Sequence, residues 1–108
     1  MIRLSLPLML VLFTSCTNAN DETVIREAEA RLVLPAKADP LSSYDRFYAV
    51  TGRGVRGIFI WSPSGKGKMR MVVTEKELPF VADGGCGVIQ VRLDLKTKLW
   101  ERPYCQGP

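Results

Sequence analysis

The residues of this chain that could do chemistry are three cysteines, a run of arginines and lysines, and two glycine-rich stretches. The cysteines are Cys16, Cys86 and Cys105. They do not form a C-x-x-C pair, so neither a redox motif nor a zinc knuckle is spelled out. The sequence contains no histidine, which removes the commonest general base and metal ligand. Asp39, Asp45, Glu75, Glu77 and Asp83 are scattered over expected loops, with no spacing that pairs two of them for acid–base work. No G-x-S-x-G or S-x-x-K motif occurs. The expectation is therefore a protein that is not an enzyme, with no catalytic residue, cofactor or metal site.

Gly52-Arg53-Gly54-Val55-Arg56-Gly57 matches G-x-G-x-x-G letter for letter. A dinucleotide loop needs a helix after the last glycine, so that its N-terminus meets the pyrophosphate. Ile58-Phe59-Ile60-Trp61 follows instead, and reads as strand. The glycines fit a bent hairpin better. Ser64-Gly65-Lys66-Gly67-Lys68 lacks the earlier glycine and the following Ser or Thr of a phosphate loop, and reads as a basic hairpin tip.

The cations are unevenly spread. Arg46, Arg53, Arg56, Lys66, Lys68 and Arg70 fall in one span, 46–70, with no acid among them and with Tyr48, Phe59 and Trp61 interleaved. Such a segment could bind an anionic polymer or lipid headgroup on a sheet surface. The competing reading is a solvated face over buried aromatics. The whole chain carries 15 Lys and Arg against 11 Asp and Glu, a net charge of +4. That is too mild to call for a nucleic-acid partner.

The elements that position these residues follow from pattern. At 108 residues the chain holds one domain at most. Residues 1–15 have a positive start at Arg3, an apolar run, then small polar residues before Cys16. That is the layout of an export signal, too short and too early for a spanning helix. Removing residues 1–15, which carry Arg3 and no acid, lowers the net charge from +4 to +3. Residues 16–20 read as a tether and 21–108 as a single small domain. Val24, Ala28 and Leu32 recur every fourth residue, with Ile25 beside them, which predicts a helix from Asp21 to Leu34, ended by Pro35.

Pro35 to Pro40 is a connector, with a single turn expected through Ser42 or Ser43. Strands are predicted over Arg46–Thr51, Val55–Trp61, Lys68–Thr74, Gly87–Asp94 and Leu99–Tyr104. Both faces of Val55–Trp61 are largely apolar, which places it centrally. Pro103 puts the last strand at an edge. Phe80 and Val81 are expected to plug the core. The fold class expected is α+β: an N-terminal helix packed on a small twisted antiparallel sheet of four to five strands, with a C-terminal hairpin closed by a disulfide between Cys86 and Cys105. A cross-link over that loop contributes roughly 3 kcal/mol on the chain-entropy model, a large share for so small a domain.

The first 16 residues resemble a bacterial lipoprotein signal, with Phe13-Thr14-Ser15-Cys16 in the place of the lipobox. The rest, from the early helix to Asp83-Gly84-Gly85-Cys86 and Tyr104-Cys105-Gln106-Gly107, is similar to small exported proteins of Gram-negative bacteria. The resemblance implies lipidation of Cys16 and anchoring on the periplasmic side of the envelope, and carries no activity with it. Signal cleavage after Ala19 is the alternative, and would release a soluble periplasmic protein. The partners expected are the membrane, through the lipid on Cys16, and an envelope protein or an anionic polymer.

Overall fold

A computed structural model describes residues 19–52, 54–64, 66–68, 70–81 and 84–107. The expected signal peptide, Cys16 and the first part of the tether lie outside the described residues. The chain is an α+β fold of one helix and a six-stranded mixed sheet.

Helix α1 spans Ala19–Glu29, so the last two residues of the expected tether are already helical. It is not at the terminus of the chain, although it is the first element described. Asp21 and Glu22 lie in its first turn, where acids favour the helix dipole. It buries Ile25 and Ala28 completely. The helix ends five residues before the predicted Leu34, and the reason is tertiary. The Trp100 indole N–H donates to the Ala28 carbonyl at 2.7 Å. Leu32 instead closes a tighter turn onto Glu29. Leu32 and Leu34 then pack against the core from non-helical chain. A short 3-10 turn at Leu41–Ser43 follows Pro40, as expected.

Strands β1 (Tyr44–Thr51) and β2 (Gly54–Trp61) form an antiparallel hairpin whose turn contains Gly52 at φ 56°. Only glycine adopts that conformation without cost, so the G-x-G-x-x-G letters serve a hairpin turn. β2 also pairs antiparallel with β4 (Gly85–Asp94). The sheet is thus centred on β2, the strand with two apolar faces. The expected third strand is reduced to β3 (Met71–Val72), which pairs parallel to β1 and not antiparallel to β2. The expected last strand is split in two: β5 (Leu99–Trp100) and β6 (Tyr104–Gln106) both pair with β4, with Pro103 in the gap. These two departures make the sheet six-stranded and mixed, where four to five antiparallel strands were expected.

The core lies between α1 and one face of the sheet. Tyr44, Tyr48, Val55, Phe59, Ile89, Val91 and Leu93 supply it, alternating along their strands as the period of two requires. Tyr48 and Phe59 meet edge to face at 5.6 Å between ring centres. Gly57 stands opposite Tyr48 in the register, and a Cβ there would lie 2.9 Å from the tyrosine ring. Glycine leaves room for the ring to lie across β2.

The other face carries Ala49, Ile58 and Val88, all buried although outside the helix-side cluster. Residues 73–81, after β3, run on this side. They pass from the β1 side toward Gly84, with Glu75 near Arg56 and Val81 beside the Gly84–Val88 contact. Within this strap Leu78, Pro79 and Val81 are half-buried. Phe80 does not plug the core: it is 87% exposed, because its neighbours take the inward positions.

The Cys86–Cys105 disulfide is formed. It joins β4 to β6 where their register shifts between Gly85 and Ile89. The extra residues of β4 bulge there, with Gly85 at φ 54°. The buried Tyr44 hydroxyl donates to the Cys86 carbonyl at 2.7 Å and accepts from the Asp39 N–H at 3.1 Å. The cross-link is therefore tied into the core from the helix side.

Candidate anion-binding site beside a buried carboxylate

The alternation of β1 sends Arg46 and Tyr48 to the helix side, two residues apart and one above the other. The last turn of α1 brings Glu29 over them. Its side chain is only 8% exposed, and its carboxylate accepts two hydrogen bonds and meets a second arginine. Arg46 donates from Nη1 to Oε1 at 3.0 Å. The Tyr48 hydroxyl donates to Oε2 at 2.6 Å. Arg70, just before β3, places Nε 3.5 Å from Oε1. Burial first, and the Glu29 charge second, push the Tyr48 phenol far above its ordinary range, so it stays protonated and acts as a donor.

This network redistributes the six cations of the basic segment. Arg46 and Arg70 are spent largely on Glu29, a partner 17 residues before Arg46 that the reading of span 46–70 alone did not include. Arg56 leaves from the opposite face of the sheet and lies 3.9 Å from Glu75. Lys66 and Lys68 are exposed in the loop after β2, where the Lys68 backbone N–H donates to the Asp45 carboxylate at 2.6 Å. Arg53 lies outside the described residues. The structure thus gathers Arg46 and Arg70, and sends Arg56 and the two lysines elsewhere.

The pairing at Glu29 is not balanced. Two guanidinium groups face one carboxylate, and the buried Nε of Arg46 has no hydrogen-bond partner among the described residues. The surplus charge borders a depression of about 360 Å³ between α1 and β3. Its lining is Glu22, Ile25, Arg26, Arg70 and Val72. Positions 22, 25, 26 and 29 recur at helical spacing, so one stripe of α1 provides both the rim and the buried acid. Arg26 is the residue that the sequence analysis missed. It lies three residues before Glu29, and pairing those two positions on a helix face would have found it. Summed over Arg26, Arg46 and Arg70 against Glu22 and Glu29, the neighbourhood carries one net positive charge. Its floor is apolar, with the half-buried Val72 beside the fully buried Ile25. That combination suits an anionic group attached to an apolar body.

A second hollow, of about 450 Å³, lies over the disulfide between Pro35, Lys37, Gly85 and Gly107. Among the described residues no cluster of three His, Cys, Asp or Glu side chains could hold a metal. No helix among them is long and apolar enough to cross a membrane. In comparison with known proteins, no family model matches the chain, no curated protein matches it, and no solved structure matches it.

Proposed function

We propose that this chain is an exported, non-enzymatic envelope protein, held to the membrane by lipid on Cys16, that works by contacting another envelope component. The observation that carries the reading is the Cys86–Cys105 disulfide. Disulfides persist in oxidising compartments. With those two thiols joined, Cys16 remains as the odd cysteine, immediately after the apolar leader. The polar groups deepest in the fold also support a structural role. Glu29, Arg46 and Tyr48 are engaged with one another, and the pairing holds the helix on the sheet. Mass spectrometry of the mature N-terminus tests the reading. A lipid-modified peptide starting at Cys16 is the expected result, and an unmodified peptide starting at Asn20 overturns the anchor.

A second reading, in which the surface binds an anionic envelope component by charge, is favoured by Arg26 and Arg70 on the rim of the depression. Salt separates the two. Charge-driven binding collapses between low and moderate ionic strength, whereas an apolar protein contact survives it.

A further inference from the structure

We infer that the depression between α1 and β3 receives the phosphate of an anionic phospholipid headgroup in the membrane that anchors the chain. The inference rests on the reading that Cys16 is lipidated, and adds to it where the domain meets the bilayer. Cys16 and Ala19 are three residues apart, and α1 starts at Ala19. Three peptide steps span at most ~11 Å. A lipid on Cys16 therefore holds the first turn of α1 at the headgroup layer. Glu22 and Arg26 lie three and seven residues into that helix, within roughly 10 Å along its axis. The depression they line is thus carried to the membrane by the tether itself.

The chemistry of the lining fits that location. Arg26 is exposed on α1, and Arg70 reaches the same hollow from the start of β3. Arg70 comes to 3.5 Å of Glu29 Oε1 at its Nε. A guanidinium carries five N–H donors in a planar fork suited to phosphate oxygens, more than one carboxylate oxygen occupies. A phosphate placed between Arg26 and Arg70 would offset the surplus positive charge beside Glu29. The half-buried Val72 would take the glycerol carbons. Glu22 on the rim disfavours a second negative charge, which points to a phosphodiester of single charge over a phosphomonoester.

The test measures binding without the anchor, so that the two readings fail separately. The core and the disulfide lie between Ile25 and Cys105, so a chain starting at residue 16 with Cys16→Ser contains the whole fold. This protein is mixed with phosphatidylcholine vesicles, with and without phosphatidylglycerol, and bound protein is sedimented. Preferential binding to the anionic vesicles is expected. R26Q/R70Q should weaken it at least about tenfold, since each basic side chain near an anionic surface contributes measurably. K76Q/K96Q, with the same loss of charge at exposed sites, should change it less than about twofold. R26Q alone, which leaves Glu29 untouched, should show an intermediate loss and covers the case in which R70Q unfolds the domain. Equal losses in R26Q/R70Q and K76Q/K96Q would overturn the site, as would equal binding to both vesicle types. Saturable binding of inorganic phosphate with no vesicle binding would make it a free-anion site and also overturn the proposal. Anionic vesicle binding by this protein, with no lipid found on Cys16 of the natural one, would uphold the site while the anchor falls.

Discussion

At the residue scale the molecule turns on Glu29. Burying a carboxylate costs several kcal/mol unless opposite charge and hydrogen bonds compensate it, and here two arginines and a phenol do so. Glu29→Ala leaves Arg46 buried without its partner and is expected to destabilise by about 3–5 kcal/mol in urea denaturation followed by circular dichroism. Tyr48 adds a pH dependence. The folded state holds its phenol above the ordinary 10.0. Below that value the phenol is protonated both folded and unfolded, and its contribution is fully present. Above it the unfolded chain loses a proton that the folded chain keeps, so stability falls as pH rises, by about 1.4 kcal/mol per unit for one such group. Tyr48→Phe should flatten that decline without abolishing it, because burial raises the Tyr44 phenol as well. Neither Glu29 nor its partners could be linked from the sequence. An acid beside the apolar stripe of a helix is ordinary there, and the pairing spans 17 residues to Arg46 and 41 to Arg70.

At the element scale, what periodicity could register was legible and what tertiary contact imposed was not. Alternation placed Tyr48, Phe59, Ile89, Val91 and Leu93 on their faces and identified β2 as the central strand. The end of α1 was misplaced because the Ala28 carbonyl is shared between the Arg31 N–H of a tight turn and the indole of Trp100, 72 residues further on. The parallel pairing of β3 was hidden because Lys68–Thr74 alternates well enough for a full strand, while its position is decided by the strap that must cross to β4. The glycine motif was legible as a turn because its physics is local. Gly57 was legible only as a gap in an apolar face, and its partner is Tyr48. Gly57→Ala should crowd Tyr48 and Val91 and lower stability by about 1–3 kcal/mol, read as an earlier urea midpoint with an unchanged slope.

For the whole molecule, one helix on a small sheet buries a modest core, and the disulfide is its long-range covalent constraint. Replacing both Cys86 and Cys105 by Ala should cost about 3 kcal/mol on the chain-entropy model, measured as the loss in unfolding free energy. In the unreduced folded protein neither cysteine should react with a thiol reagent. The pair was legible from its place at the two ends of the C-terminal hairpin pattern, whereas its seat at a bulge, wired to Tyr44, depends on the β4–β6 register. The divided margin of the sheet has a consequence of its own. An outer strand with a long row of open N–H and C=O groups is a template for fibre growth. Here one side ends in the two residues of β3, and the other in β5 and β6, two and three residues long with Pro103 between them. Among the described residues, the outermost strand on either side is too short for another chain to continue the ladder along it. The interruption that made the last strand hard to read is thus a safeguard against edge-to-edge aggregation of neighbouring copies.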